Sequence, residues 1–339
     1  MQKIIKLIND ETNSLTTEKT AIIARLYYKG AVSYEIKSGY SNLEFKIPVD
    51  FDTIFPISSM TKQFTAAVMY FLEQRDVLSY QDNLKVYFPD IPAYGESITI
   101  KHLIHQTSGL MDPYKFYKNK NLNTYNLTNK DIYEFLVKQK SLLSKPGEKF
   151  HYSNSNYVLL SMIAEKATDK KFSEILNEII FDRLNMNNSL LYDNRYVIRN
   201  RAYGYRKDKE NAYLTTDIKW LSYGDGGVFC SLNDLEKWYL KLYENMFINN
   251  YSKDAFMSGK NNAGENTGYG FGWFINKNDN FKLVYHLGGD PGFGSIISFI
   301  PEKEIGLIIL ANLDGAWKIF DKINKRILGV MKNESYPIQ

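Results

Sequence analysis

Ser59-Met60-Thr61-Lys62 is the one Ser-x-x-Lys of the chain. It follows Ile54-Phe55-Pro56-Ile57, which reads as extended. It opens a largely apolar run, Thr61 to Gln74, with helical spacing and small residues (Thr65, Ala66, Ala67) near its start. Side chains three apart share a helix face, so Ser59 and Lys62 stand as neighbours. A serine hydroxyl is a weak nucleophile at neutral pH and needs a base within reach. A lysine stripped of water gives up its proton more readily and can be that base. The helix start adds N–H groups and a positive dipole end where an oxyanion would form. Taken alone, the four residues fit an N-cap serine and a solvated lysine better than a catalytic pair.

Two further segments carry chemistry. Tyr152-Ser153-Asn154 sits on a loop after the Pro146-Gly147 break and before an apolar helix. A tyrosine beside an ammonium loses its proton more easily and can shuttle protons to a leaving group. The Asn154 amide can hold both a lysine and a substrate carbonyl. The bland alternative is a loop tyrosine with Asn154 as N-cap. The pattern recurs as Tyr40-Ser41-Asn42, where a turn is expected, and is echoed by Tyr192-Asp193-Asn194. His286-Leu287-Gly288-Gly289 ends an expected strand, and its glycines let a substrate backbone approach closely. An N–H just past them could complete an oxyanion hole with that of Ser59. A hairpin turn with an incidental histidine is the plain alternative.

These segments need a scaffold. Residues 21–28 and 31–38 read as strands turned by Lys29-Gly30. Residues 129–139, 155–168, 172–184 and 232–245 read as helices, the last capped by Ser231 or Asn233. Residues 269–275, 282–287, 294–300 and 305–311 read as strands, with Pro301-Glu302-Lys303-Glu304 turning the last pair, and 316–331 as a closing helix. Strands at both ends and helices between predict an α+β fold. Its antiparallel sheet would come from both chain termini and be flanked by helices, with an all-helical insertion. The expected division is 1–76 with 201–339 as the sheet domain and 77–200 as a mainly helical insertion, the cleft lying between them.

Composition bounds the function. The chain has 339 residues, 44% hydrophobic and 24% charged, as a globular protein should. Its net charge of +4 is spread without a basic block, so nucleic-acid binding is not expected. The 26 tyrosines and 20 phenylalanines recur throughout and read as core and cleft aromatics. Cys230 is the only cysteine, in an apolar segment without a basic neighbour, and reads as inert. His102 and His105 lack a third ligand, so a metal site is not expected. His151 adjoins Tyr152 and is a lesser candidate for the cleft. Residues 1–12 lack the apolar core of a signal peptide, and no apolar run reaches a membrane span. A cytoplasmic enzyme, monomeric or weakly oligomeric, is the expectation.

The order Ser-x-x-Lys, Tyr-x-Asn about 90 residues on and His-x-Gly about 130 further resembles the serine β-lactamase and penicillin-binding-protein (D,D-peptidase) superfamily, most of all its class C-like branch. The resemblance runs from about residue 20 to 315. It includes His105-Gln106-Thr107-Ser108-Gly109-Leu110, Gly226-Gly227-Val228-Phe229 and Tyr269-Gly270-Phe271-Gly272-Trp273. It implies Ser59 as acylated nucleophile, Lys62 as its partner base and Tyr152 as general base and acid. Asn154 would orient substrate, His286 and Gly288 would line a third wall, and the Ser59 and Gly289 N–H groups would form the oxyanion hole. It implies a small-molecule or peptide substrate and no cofactor. One departure stands out: many β-lactamases have Lys-Thr-Gly where this chain has His286-Leu287-Gly288. A histidine with a reference pKa near ~6.5 would be a part-time cation, pairing with a substrate carboxylate only at lower pH. D-amino-acid peptides or short-chain esters are therefore expected over β-lactams. A genuine β-lactamase, or a silent binder of penicillin or peptidoglycan peptides, are the competing readings.

Overall fold

Strands from both ends of the chain form one seven-stranded antiparallel sheet in the computed structural model, which describes residues 1–16, 19–120, 126–216, 221–244, 251–277 and 280–333. The strand order is Tyr269–Gly270, Trp273–Lys277, Lys282–Asp290, Phe293–Ile300, Ile305–Ala311, Ile22–Tyr28, Ala31–Ser38. The termini meet in the pairing of Ile22 with Ala311 and of Tyr28 with Ile305. The central strands Phe293–Ile300 and Ile305–Ala311 are buried along their whole length, as continuous apolar runs covered on both faces should be. Successive side chains serve opposite faces. Ile22, Ala24 and Leu26 pack under the helices Gln2–Thr16 and Ala316–Asn333. Ile23 and Tyr27 enter the larger core with the helices Thr61–Glu73 and Leu232–Tyr243.

Among the described residues, 77–200 hold the helices Leu84–Tyr87, Ile100–Ile104, Pro113–Asn119, Asn129–Val137, Asn154–Thr168 and Phe172–Leu176, with one short strand, Ser189–Leu191. That strand pairs with Val228–Cys230, which pairs in turn with Phe55–Pro56. No helix among the described residues is long and apolar enough to cross a membrane.

Four local expectations need adjusting. The helix Gln2–Thr16 is an addition to the expected elements: its apolar residues are spaced around a helix and form no contiguous core. Its Ile4, Leu7, Ile8 and Leu15 follow helical spacing and are buried against the sheet and the last helix. The expected helix 172–184 turns into a wider π-type coil over Asn177–Phe181. Tyr40-Ser41-Asn42 is a short strand paired with Ile47–Pro48, and its Asn42 side chain accepts a hydrogen bond from the Phe45 N–H. The fourth helix ends at Tyr243, capped at its start by Ser231; residue 245 lies outside the described residues.

Asn312, fully buried at the end of a central strand, ties three segments together. Its Oδ1 accepts the Ala21 N–H, while its Nδ2 donates to Tyr203 O (2.9 Å) and Tyr40 O (3.1 Å). Replacing one partner of a buried set leaves the others unsatisfied, at ~1–3 kcal/mol each. Asn312→Ala is therefore expected to cost at least about 3 kcal/mol, lowering the denaturant midpoint at nearly constant slope. A midpoint within error of the parent protein would contradict the tether.

Candidate active site

Ser59 stands in a sharp turn between the Phe55–Pro56 strand and the Thr61–Glu73 helix. Ser58 holds a left-handed φ of 52°, uncommon for a residue with a Cβ, and Ser58–Met60 forms one 3₁₀ turn leading into the helix. The helix is apolar nearly all round, so it runs through the core and carries Lys62 to full burial. Its polar side chains grip neighbouring loops: Thr65 Oγ1 donates to Gly224 O (2.6 Å), and Thr61 Oγ1 accepts from the Val228 N–H (3.1 Å).

The Lys62 ammonium donates three hydrogen bonds: to Ser59 Oγ (3.1 Å), Asn154 Oδ1 (2.8 Å) and the Asp225 backbone carbonyl (2.7 Å). Asn154 is fixed from behind by Asp112, whose Oδ2 accepts both its backbone N–H (2.9 Å) and its Nδ2 (2.9 Å). A carboxylate only accepts, so Asp112 forces the NH₂ toward itself and the amide oxygen toward Lys62. The loop carrying Tyr152 rests on Gln106, which accepts from Ser153 N–H (2.8 Å) and whose carbonyl accepts from His151 N–H (2.8 Å). The half-buried Tyr152 ring stacks on Phe274, centroids 5.8 Å apart, and its centroid lies 5.1 Å from the Lys62 ammonium. Among the described residues its hydroxyl makes no hydrogen bond to Ser59 or Lys62.

The Lys282–Asp290 strand passes beside the serine turn. A Cβ at Gly288 would collide with the Ile57 carbonyl and the Ser295 hydroxyl, which are hydrogen-bonded to each other at 2.9 Å. Only glycine lets the strand come this close. Gly289 is exposed at the strand's end.

His286 departs from expectation. It is only 1% exposed and lies outside the cavity at Ser59. Its Nδ1 meets Leu287 O at 2.7 Å, and since a carbonyl only accepts, Nδ1 carries the hydrogen. Nε2 is then the acceptor facing the Tyr269 hydroxyl at 3.3 Å. Burial first, and the Lys62 charge second, push His286 down to about 3. A ring held neutral in the interior cannot be the part-time cation for a substrate carboxylate.

A cavity of about 210 Å³ opens at Ser59 and is lined also by Tyr114, Asn154, Ser222, Asp225 and Asp290. A larger hollow of about 660 Å³, beside Phe274 and Lys282, contains none of the site residues named from sequence. The cavity is acidic. Burial raises the Asp225 carboxyl despite the nearby Lys62 charge. Burial and the Asp225 charge raise Asp290 to about 6.

Sequence reasoning missed Asp112, Tyr114, Asp225 and Asp290. Asp112-Pro113 is a helix-start signature, and Asp112 does cap that helix by accepting the Lys115 N–H at 3.1 Å. Nothing local marked it as the anchor of Asn154. Of the lesser candidates, His102 Nδ1 serves the Thr99 N–H in a capping box (3.1 Å). His105 is half-buried, its ring edge-on to Phe271, and desolvation lowers it to about 4. His151 does not line the cavity. Cys230 is buried beside Ser189 Oγ (3.0 Å), its thiol pushed up by burial.

This sheet, with a Ser-x-x-Lys helix start packed beside its Lys282–Asp290 strand, is the arrangement of β-lactamase and transpeptidase-like proteins. The Beta-lactamase family model matches residues 18–331, and the chain belongs to that family. It is 31% identical over 326 residues to penicillin-binding protein 4* of Bacillus subtilis (strain 168), covering 91% of this chain and 72% of that one. In structure it is similar to the octameric penicillin-binding protein homologue of Pyrococcus abyssi, with a TM-score of 0.79 and 28% identity over 92% of this chain and 73% of the other. It shares its fold with the D-amino acid amidase of Ochrobactrum anthropi SV3, with a TM-score of 0.78 and 21% identity over 99% of this chain and 100% of the amidase.

Two outcomes follow from the geometry. Asp112→Asn turns a donor toward the Asn154 NH₂ and frees that amide to rotate. Losing a charge-assisted bond of ~1.5–3 kcal/mol should lower kcat on an ester about 10- to 150-fold; a loss under about threefold would leave Asp112 with only its capping role. His286 and His105, lowered by burial, should keep neutral-ring ¹⁵N shifts from pH 8 to 5, and a His286 titration near pH 6.5 would refute its buried setting.

Proposed function

We propose that the protein is a serine hydrolase that cleaves an amide or ester through an acyl-serine intermediate. The observation that carries this reading is the buried Lys62 ammonium bridging Ser59 Oγ and Asn154 Oδ1. The cleft lies between a sheet domain, 1–76 with 201–339, and the helical insertion 77–200. In support, the cavity draws Ser59, Asp225 and Asp290 from the first and Tyr114 and Asn154 from the second.

In this mechanism Ser59 Oγ attacks the substrate carbonyl carbon and its proton passes to the Lys62–Tyr152 pair. The N–H groups of Ser59 and Gly289 hold the developing oxyanion. Tyr152 returns the proton to the leaving nitrogen or oxygen as that bond breaks. Water, activated by the same pair, then attacks the acyl-serine and frees the acid. Asn154 orients the substrate carbonyl, and Gly288 keeps the wall flat enough for a substrate backbone. The substrates are D-amino-acid peptides or short-chain esters. A neutral His286 where β-lactamases carry a lysine argues against efficient β-lactam hydrolysis.

Treatment with a fluorophosphonate should give one adduct, on the peptide containing Ser59, by intact-mass and peptide mass spectrometry. Ser59→Ala should lose at least ~10³-fold in rate, about 4 kcal/mol of barrier. An adduct elsewhere, or undiminished turnover, sinks the assignment. Lys62→Ala and Tyr152→Phe should each be severe, with the double variant little worse than the poorer single, because groups acting as a unit give non-additive losses. Clean additivity would separate their roles.

A further inference from the structure

The small cavity at Ser59 holds two carboxylates and no lining cation; the Lys62 charge lies nearby but gives neither side chain a hydrogen bond. Asp225 is 6% exposed and lines the cavity, and its Oδ1 is buried without a hydrogen-bond partner. Asp290 lines the same cavity, half-exposed, at the end of the strand that carries Gly288 and Gly289. Among the described residues neither side chain forms an ion pair, and no lysine, arginine or histidine lines the cavity. Lys62 is the nearest cation, yet it addresses the backbone carbonyl of Asp225 and uses its other donors on Ser59 and Asn154. Arg201 stacks on the Tyr192 and Phe229 rings and does not line the cavity.

A buried acceptor without a partner is costly, and two carboxylates sharing a water-poor hollow repel each other. A ligand cation relieves both penalties, and a ligand carboxylate worsens both. His286, buried outside the cavity, supplies no positive charge for an acidic substrate either. We propose that the cleft seats a free ammonium group of the substrate against Asp225 and Asp290, so that it selects amides or esters of amino acids or peptides with an unblocked amino terminus. In this proposal the ammonium sits on the acyl side, next to the carbonyl that Ser59 attacks, and Ser59 lines the same cavity. This inference rests on the reading of Ser59 as nucleophile.

The test compares p-nitrophenyl esters of D-alanine with the amine free, N-acetylated or N-succinylated, using the full chain at pH 7 and correcting for spontaneous hydrolysis. At that pH an α-amino group is mostly charged. The free amine should exceed the N-acetyl ester at least tenfold in kcat/KM, with the N-succinyl ester slowest. Asp225→Asn and Asp290→Asn should each bring the amine-to-acetyl ratio toward one. A ratio of one or less in the parent protein, or an unchanged ratio in both folded variants, overturns the proposal. Should the variants not fold, the parent protein decides alone: D-alaninamide must inhibit N-acetyl ester hydrolysis at least tenfold more strongly than N-acetyl-D-alaninamide, and equal inhibition overturns the site. Ser59→Ala separates the two readings. An inactive Ser59→Ala with a ratio of one defeats only the ammonium site, whereas an active Ser59→Ala defeats the acyl-serine mechanism.

Discussion

A fully buried lysine sets the terms for the rest of the molecule. Removing an ammonium from water costs several kcal/mol unless every proton finds an acceptor. Lys62 finds three, at sequence separations of 3, 92 and 163 residues. One lies in its own turn, one at the start of the helix Asn154–Thr168, and one in the glycine-rich loop before Val228. Each of those segments must be brought to within about 3 Å of one nitrogen and held there, because a missing acceptor leaves a buried charge uncompensated. The surrounding structure is largely the means of doing so. Thr65 clamps the Gly224 loop to the lysine helix, Gln106 seats the Tyr152 loop, and Gly272 presses against the helix start. A Cβ at Gly272 would come within 2.6 Å of the Lys62 and Gln63 backbone.

The polar groups form a line rather than a scatter. Asp112 accepts from Asn154, Asn154 accepts from Lys62, and Lys62 donates to Ser59. In a low-dielectric interior each bond polarises the next. The carboxylate at one end therefore influences the hydroxyl at the other without touching it. Rotational freedom is removed at every step: Asp112 through its helix cap, Asn154 through two bonds to one oxygen, Lys62 through three.

Fold class and motif residues could be read from the chain because their signals are local. Short apolar runs between turns marked the strands of residues 21–38 and 282–311, and the serine-lysine spacing marked the helix start. Lys29-Gly30, both with positive φ, turned the first hairpin as expected. What escaped depended on distant partners. Asp112 and Asp225 are ordinary loop aspartates until their loops pack around the Ser59 turn. His286 carries the family's position but not the expected charge, since burial, which its own segment does not reveal, keeps the ring neutral. The helix Gln2–Thr16 had the right period and was overlooked because its apolar face acquires a purpose only against the last strands and helix of the chain.

Closing one sheet with strands from both ends also governs the order of events during synthesis. The hairpin of residues 22–38 emerges early, but Ile22–Tyr28 needs Ile305–Ala311 as its second neighbour, roughly 280 residues later. At ~5–20 residues per second that is a wait of about 15–55 s on the ribosome. Throughout it, a strand reading Ile-Ile-Ala-Arg-Leu-Tyr-Tyr presents an unpaired edge to other chains. Arg25, in the middle of that strand, is its only charge and interrupts the apolar run; in the finished protein it is nearly buried, bonded to Glu35 and Glu236. The residue that anchors the strand in the native fold thus also guards it against aggregation while the nascent chain waits.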